Sequence, residues 1–208
     1  MTPSHIKALF DSLAAANPHP AIELNYQTPY QLLVAVILSA QSTDKGVNRA
    51  TVALFQAAPT PEAMAALGED ALIEHIRTIG LYRTKGRNII RMTRQLLDKH
   101  GGAVPHDRVA LESLPGVGRK SANVILNTIF GEPVIAVDTH IFRVANRTGL
   151  APGKDVRAVE SKLMEVVPKQ YLHNAHHWLV LHGRYVCKAI KPHCAQCIIR
   201  NLCEIEKP

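Results

Sequence analysis

Apolar residues along the chain recur at helical spacing, and the alternating pattern typical of strands is nearly absent. The helix predicted over 120–130 shows this clearly, because four apolar positions at i, i+3, i+4 and i+7 form one stripe that we expect to be buried. These positions are Ala122, Ile125, Leu126 and Ile129. The polar residues of a different face are Lys120, Asn123 and Asn127. The one strand candidate, Val134 to Val137, is very short, so the chain is predicted to be all-α.

Capping residues and helix breakers define further helices. Ser, Thr or Asp accepts hydrogen bonds from first-turn amides, Pro suits the first helical position, and Gly or Pro ends a helix. The segments predicted in this way are Ser4 to Ala16, with Ser4 as the cap, Pro29 to Leu38, a short helix from Pro61 to about Gly68, Arg83 to His100, and the helix that Asp155 caps and Pro168 ends.

Composition narrows the class of protein. The 208 residues are 47% hydrophobic and 20% charged, which suits one or two ordinary folded domains. The longest apolar run, Leu32 to Leu38, covers about a third of a membrane helix, and no secretory signal opens the chain. We therefore expect no membrane association and a cytoplasmic protein. The 24 Lys and Arg against 17 Asp and Glu give a net charge of +7, which modestly favours a polyanionic partner.

All four cysteines lie in the last 22 residues, at the spacing Cys-x6-Cys-x2-Cys-x5-Cys. They are Cys187, Cys194, Cys197 and Cys203. In a cytosolic chain such a cluster indicates metal binding before disulfides. Four thiolates satisfy either tetrahedral zinc or an iron–sulfur cubane. Zinc sites typically pair two short knuckles, whereas this segment has a single Cys-x2-Cys.

Residues 114–120 read Leu-Pro-Gly-Val-Gly-Arg-Lys and lie between a short amphipathic segment and the helix over 120–130. Gly116 and Gly118 allow a tight turn and close backbone approach, and the amides at a helix N-terminus can hold a phosphate. An ordinary interhelical turn is the alternative, but the setting in a basic chain favours phosphate binding. On spacing alone, Lys120 is a solvated lysine near that phosphate.

These motifs, with Leu-Ser-Ala-Gln-Ser-Thr-Asp at 38–44 and Val-Asp-Thr-His at 137–140, resemble the short bacterial-type members of the endonuclease III family of helix-hairpin-helix DNA glycosylases. The resemblance covers nearly the whole chain. It implies a two-domain fold, with a six-helix domain over 22–132 and a discontinuous cluster domain from 1–21 and 133–208, on either side of a DNA-binding cleft. It also implies that the four cysteines hold a structural [4Fe-4S] cluster in a C-terminal loop.

By the same resemblance, Lys120 is the nucleophile that attacks C1′ of a damaged nucleotide and forms a Schiff base. The helix dipole and partial burial are expected to favour its free amine. Asp138 precedes a helix predicted from about Thr139 to Thr148, which makes it a natural N-cap. The family role for Asp138 is to stabilise a cationic sugar and assist proton transfer, and the two roles are compatible. Lys120 and Asp138 are expected to face each other across the cleft.

A stacked base must be extruded before it can react, and side chains must fill the gap. The resemblance makes Gln41 and Leu81 candidates, against the alternatives of a surface glutamine and a core leucine. The other expected DNA contacts are Gly116, Gly118, Arg119, His140, Arg184 and Lys191. The histidines at 173, 176 and 177 are interpreted as structural or phosphate-contacting.

The implied function is a bifunctional DNA glycosylase and AP lyase that removes oxidised pyrimidines from duplex DNA during base excision repair. We expect it to act as a monomer on damaged or abasic duplexes in the nucleoid. One alternative is a monofunctional adenine glycosylase of the same superfamily, which lacks the lysine nucleophile. The other is a non-catalytic iron–sulfur DNA-binding protein, which has no need of Lys120 with Asp138.

Overall fold

A computed structural model of the protein describes residues 1–205, and all regular structure within that range is helical. The α-helices are α1 (Pro3–Ala16), α2 (Pro29–Ser39), α3 (Asp44–Ala57), α4 (Pro61–Ile76), α5 (Tyr82–His100), α6 (Arg108–Glu112), α7 (Arg119–Phe130), α8 (Thr139–Thr148), α9 (Val156–Val166) and α10 (Lys169–Tyr185). Two short 3-10 helices, Cys194–Gln196 and Arg200–Leu202, lie in the cysteine segment. The all-α prediction is confirmed. The short strand candidate at Val134 to Val137, which the all-α prediction set aside, is irregular in the structure, with Ile135 and Ala136 buried.

The chain divides into two compact units. We call Glu23–Phe130 the hairpin unit, and Met1–Ile22 together with Gly131 onward the cysteine unit. In the hairpin unit α2 is the central helix, since every residue from Tyr30 to Leu38 is buried. The helices α3, α5 and α7 pack against it, and α4 packs on α3 and α5.

The start of α2 shows how capping residues fix where a core helix begins. The hydroxyl oxygen of Thr28 accepts a hydrogen bond from the Gln31 amide at 3.2 Å, and Pro29 occupies the first helical position. The helix opening at Thr60-Pro61 is also confirmed. Its predicted end near Gly68 is only a kink, with φ 79° and ψ 171° at that glycine, and helical structure resumes as far as Ile76.

In the cysteine unit, α1 packs on α10 around three aromatic side chains. The ring of Phe10 stacks on Tyr171 with centroids 5.5 Å apart, and Trp178 approaches both rings. The Nε1 atom of Trp178 donates to the Asn17 carbonyl at 2.8 Å, which fixes the end of α1. Helix α8 packs on α10 and α9. This core orients α8, which carries the candidate residues Asp138 and His140 at its start.

Other boundaries follow the predictions with a few corrections. Thr2 caps α1 in place of Ser4, and Asp155 caps α9 as predicted. The prediction puts Asn123 and Asn127 on a polar face of α7, but both side chains are fully buried.

Among residues 1–205, no helix is both long enough and apolar enough to cross a bilayer.

Candidate functional site

The turn between α6 and α7 forms a compact hairpin. The amide of Val117 donates to the Leu114 carbonyl at 3.0 Å, and the amide of Ala122 donates to the Gly118 carbonyl at 2.9 Å as α7 begins. Gly116 has a φ of 83°, and a Cβ there would lie 3.1 Å from the Cβ of Asn88. Glycine is therefore required at 116 by both backbone conformation and packing.

Gly118 differs from Gly116, because a Cβ at this position would meet no protein atom within 4 Å. The space beside it is open to a ligand. Gly118 is followed at once by the first turn of α7, where backbone amides lack carbonyl partners within the helix and the dipole is positive. An open glycine next to such amides is suited to a phosphate group.

Lys120 lies in the first turn of α7, as predicted, and its side chain is exposed. The expectation of partial burial is wrong. The side chain of Arg119, beside it, is half-buried. The hairpin therefore presents a lysine amine to solvent directly after the candidate phosphate site.

Asp138 caps α8 in the cysteine unit and is half-buried. Its Oδ1 atom accepts hydrogen bonds from the amides of His140 and Ile141, both at 2.9 Å. These bonds fix the orientation of the carboxylate at the N-terminus of α8. Oδ2 has no hydrogen-bond partner among the described residues, so one oxygen stays available for chemistry.

Gln41 and Leu81 lie on neighbouring loops of the hairpin unit. Both have left-handed backbone, with φ of 53° and 59°, and Leu81 is 60% exposed at the start of α5. A Cβ on Gly80 would lie 3.5 Å from the Gln41 carbonyl oxygen, so the two loops touch. Within residues 1–205 the only other non-glycine residue with positive φ is Lys191. Such backbone is sparsely populated, and it concentrates at functional sites.

The four cysteines line one cavity of about 190 Å³ in the cysteine unit. None of the four forms a disulfide. Burial raises the pKa of the Cys197 and Cys203 thiols, and the neighbouring cysteines raise it further. The His182 ring nitrogen lies 3.6 Å from the Cys197 sulfur, and the Cys203 thiol donates to the Arg147 carbonyl at 3.6 Å. The cavity therefore gathers four soft ligands in one place.

Two arginines of α8 hold the start of the cysteine loop. Arg143 donates from Nε to the Cys187 carbonyl at 2.8 Å and from Nη2 to the Gly183 carbonyl at 2.6 Å. Arg147 donates to the carbonyls of Lys188 at 2.6 Å and Ala189 at 2.9 Å. Neither arginine is among the site residues predicted from the sequence. Their spacing of i and i+4 on α8, within one face, was the available signal.

His140 is half-buried, and its Nδ1 atom lies 3.3 Å from the Nη2 atom of Arg143. Arg184 is half-buried near the end of α10, and Lys191 is exposed on the cysteine loop. His176 and His177 are buried, with ring centroids 5.0 Å apart, which supports a structural role. Burial, together with a smaller contribution from the charge of His173, lowers the pKa of His177 to about 4.

The structure thus brings several predicted residues together within each unit. The hairpin unit contains Gly116, Gly118, Arg119, Lys120, Gln41 and Leu81. The cysteine unit contains Asp138, His140, Arg184, Lys191 and the four cysteines.

Comparison with known proteins agrees with these features. Residues 34–169 match the model of the HhH-GPD superfamily base excision DNA repair proteins. The chain is 60% identical to endonuclease III of Haemophilus influenzae, over 94% of this chain and 92% of that relative. It is 59% identical to endonuclease III of Escherichia coli, over 92% of this chain and 90% of that relative.

Solved structures give the same result. A trapped endonuclease III–DNA covalent intermediate superposes with a TM-score of 0.92 at 44% identity, covering 98% of this chain and 96% of that one. A non-covalent endonuclease III–DNA complex superposes equally well, with a TM-score of 0.92 at 45% identity and the same coverage. A thermostable thymine-DNA glycosylase shares the fold, with a TM-score of 0.86 at 22% identity over 97% and 96% of the two chains.

Proposed function

Because this chain belongs to the endonuclease III family of the HhH-GPD superfamily of base excision DNA repair proteins, we propose that it is a bifunctional DNA glycosylase and AP lyase. Its proposed substrate is duplex DNA that contains an oxidised pyrimidine or an abasic site. We propose that it works as a monomer on nucleoid DNA in the cytoplasm. The proposed domains are 22–132 for the hairpin, and 1–21 with 133–208 for the cluster.

The position of Lys120 carries this proposal. Its exposed amine follows an open glycine turn and lies in the first turn of α7. A phosphate bound by the first-turn amides places the attached sugar beside the lysine. The reaction needs the free amine of Lys120, whose nitrogen lone pair is the nucleophile.

In the glycosylase step the Lys120 Nζ lone pair attacks C1′ of the damaged nucleotide. The C1′–N bond breaks, and the base leaves with its bonding electrons and a proton. One proton of the lysine nitrogen passes through Asp138 to the departing base, and the other goes to O4′ as the C1′–O4′ bond breaks and the Schiff base forms. In the lyase step a C2′ proton is removed, the C3′–O bond breaks, and the strand is nicked on the 3′ side. Hydrolysis of the remaining Schiff base then releases Lys120.

Asp138 is proposed to assist this chemistry through its unpartnered Oδ2. A carboxylate oriented by the α8 amides stabilises the positive charge that develops on the sugar, and it can accept the proton that Lys120 loses. The capping role and the catalytic role therefore use different oxygens of one side chain. His140, two residues later, is proposed as a DNA contact.

Gln41 and Leu81 are proposed to fill the space that the extruded nucleotide leaves. Their loops touch, and both side chains project from left-handed backbone. An exposed leucine is an apolar wedge that can replace base stacking, and the glutamine amide can hydrogen-bond to the orphaned base. Arg119, Arg184 and Lys191 are proposed to contact DNA phosphates.

The four cysteines are proposed to hold a [4Fe-4S] cluster. Four thiols around one cavity match the donor set of such a cluster. The single Cys-x2-Cys of the segment favours this cluster over tetrahedral zinc, whose sites typically pair two such knuckles. The cluster's contribution is structural, because all four ligands come from the protein.

Borohydride trapping on duplex DNA that contains thymine glycol tests the catalytic proposal. The wild-type protein is expected to form a covalent adduct after reduction of the Schiff base, and Lys120→Ala is expected to form none. Lys99→Ala is the matched control, since Lys99 is an exposed lysine of α5. An adduct with Lys120→Ala would show that another group is the nucleophile. Adenine release from a mismatch without an adduct would identify the monofunctional alternative.

The metal assignment has its own test. Iron content and the visible absorption of an iron–sulfur centre are expected in the purified protein. Each Cys→Ser substitution at the four ligand positions is expected to remove that absorption. A colourless protein containing one zinc per chain would overturn the cluster assignment while leaving the catalytic proposal intact.

A further inference from the structure

Lys85 is a buried lysine in the first turn of α5, with only 5% of its surface exposed. Its Nζ atom donates to the carbonyl oxygen of Leu38 and to the hydroxyl oxygen of Ser42, both at 2.9 Å. No acidic side chain in the described residues pairs with it. Burial lowers the pKa of Lys85, since the ammonium form has lost its water. Burying an amine without an acidic partner costs folding free energy, so the presence of Lys85 at this position calls for an explanation.

The environment of the amine explains how it is tolerated. Leu38 lies in the last turn of α2, where carbonyl oxygens lack amide partners within the helix and the dipole is negative. The Lys85 Nζ atom satisfies one of these carbonyls. A positive group is stabilised at this end of a helix, which offsets part of the desolvation cost.

The two hydrogen bonds of Lys85 connect both loops that carry the proposed gap-filling residues. Ser42 directly follows Gln41 in the first loop. In the second loop, the Lys85 amide donates to the Leu81 carbonyl at 3.0 Å, so lysine and leucine share one helical turn. Gly80 brings the loops into contact at the Gln41 carbonyl. One side chain therefore ties the end of α2 and the Gln41 loop to the start of α5.

We propose that Lys85 is a positioning residue that fixes the relative placement of Gln41 and Leu81, so that the two side chains enter the DNA gap together. This inference rests on the gap-filling role proposed above for those two residues. Lys85 acts through the backbone of the loops and touches neither the substrate nor the reacting atoms.

The backbone conformation supports a positioning role over a purely structural one. Left-handed backbone at non-glycine residues persists only where the surroundings enforce it. The first loop has such a residue at Gln41, next to the acceptor Ser42. The second has one at Leu81, four residues before Lys85. For stability alone, an apolar side chain in this buried position avoids the desolvation cost of an amine. The amine adds directional hydrogen bonds, which fix geometry.

The test compares Lys85→Met with wild-type protein, each with its cluster, using Lys99→Met on the exposed face of the same helix as the matched control. Circular dichroism and thermal unfolding report folding. Binding is measured to two duplexes, one undamaged and one with a tetrahydrofuran abasic analogue opposite 2-aminopurine. The analogue cannot undergo excision, so this measurement is independent of Lys120 chemistry. The fluorescence of 2-aminopurine reports insertion of side chains beside the orphaned base.

We expect Lys85→Met to fold and to bind the undamaged duplex like the wild type. Its affinity for the abasic duplex is expected to fall by about tenfold, with a smaller fluorescence change. Leu81→Ala is expected to lower the affinity for the abasic duplex less in the Lys85→Met background than in the wild type. The reason is that the leucine is already misplaced when Lys85 is absent. If Lys85→Met does not fold, Ser42→Ala removes one of the two hydrogen bonds and is expected to show a weaker effect of the same kind.

Wild-type behaviour of Lys85→Met or, where that variant does not fold, of Ser42→Ala would overturn the inference. Two further results would overturn it. One is an equal loss of affinity for the undamaged and the abasic duplex, and the other is full additivity of the affinity losses caused by Lys85→Met and Leu81→Ala. The proposed catalytic function fails separately, if the wild-type protein gives no trapped adduct with a lesion duplex while still discriminating the abasic analogue.

Discussion

The Nη1 atom of Arg147 lies 2.6 Å from the carbonyl oxygen of Lys188 and 3.9 Å from the sulfur of Cys187. An arginine of α8 thus holds the main chain right after the first cysteine of the proposed cluster. Because the Cys203 thiol also donates to the Arg147 carbonyl, the same residue contacts the first and last cysteines.

Replacing this arginine tests its role in retaining the cluster. Arg147→Met removes charge-assisted hydrogen bonds to two carbonyls, and we expect it to destabilise the cysteine unit by about 2–4 kcal/mol. The ratio of visible to ultraviolet absorbance is expected to fall, and chelator is expected to bleach the variant faster than the wild type. Arg157→Met, an exposed arginine of α9, serves as control and should bleach like the wild type.

The hairpin glycines are expected to separate stability from binding. Gly116→Ala places a side chain on left-handed backbone against Asn88 and is expected to cost about 2 kcal/mol of unfolding free energy. Gly118→Ala meets open space and is expected to change stability by less than about 0.5 kcal/mol, while weakening DNA binding. Thermal unfolding and DNA titration measure the two effects. Normal DNA affinity in Gly118→Ala would contradict the phosphate site.

Salt dependence tests the proposed phosphate contact of Lys191. Lys191→Glu is expected to weaken binding and to make the slope of log K against log salt shallower by about 0.9, the value for one lost phosphate contact. Lys154→Glu makes the same change of charge at an exposed site outside the proposed contacts and is the control. An identical slope in wild type and Lys191→Glu would remove Lys191 from the interface.

The buried His177 predicts a dependence of stability on pH. Burial holds its pKa near 4 in the folded protein, against 6.5 for an ordinary histidine, so the unfolded chain binds the proton more readily. The stabilising contribution is complete above pH 6.5 and is lost as the pH falls towards 4. We expect this loss to reach about 3 kcal/mol. Urea unfolding between pH 7 and 4 measures it.

His177→Leu removes this titration. The unfolding free energy of the variant is therefore expected to fall less steeply than that of the wild type as the pH is lowered. Groups that do not interact with His177 contribute equally to both profiles, so the difference reports His177 and its neighbour His173. Parallel pH profiles for the two proteins would show that His177 titrates normally.

Helix starts were predictable because their signals are local. Thr28-Pro29 and Thr60-Pro61 combine a capping hydroxyl with proline at the first helical position, and both open helices in the structure. The same signal at Thr2-Pro3 explains why Ser4 was the wrong cap: the Thr2 hydroxyl accepts from the His5 amide at 3.3 Å. Helix α3, which was not among the predicted helices, begins with a capping Thr43 followed by Asp44.

The same distinction between local and distant signals applies to the residues of the site. The glycine turn and the cysteine spacing are short motifs, so both could be located from the sequence. Lys85 could not be inferred, because its carbonyl partner lies 47 positions away in the chain. Arg147 likewise meets its carbonyl partner 41 positions later. Such roles depend on which helix ends meet in the folded core, and no local pattern encodes that meeting.

The left-handed backbone at Gln41, Leu81 and Lys191 has a consequence for attempts to make the protein more robust. Each position costs about 1–2 kcal/mol relative to ordinary backbone, a cost that glycine would relieve. A search for thermostable variants would therefore favour glycine at three positions where the proposed DNA-binding side chains would be lost. At these positions selection for stability and selection for repair oppose each other.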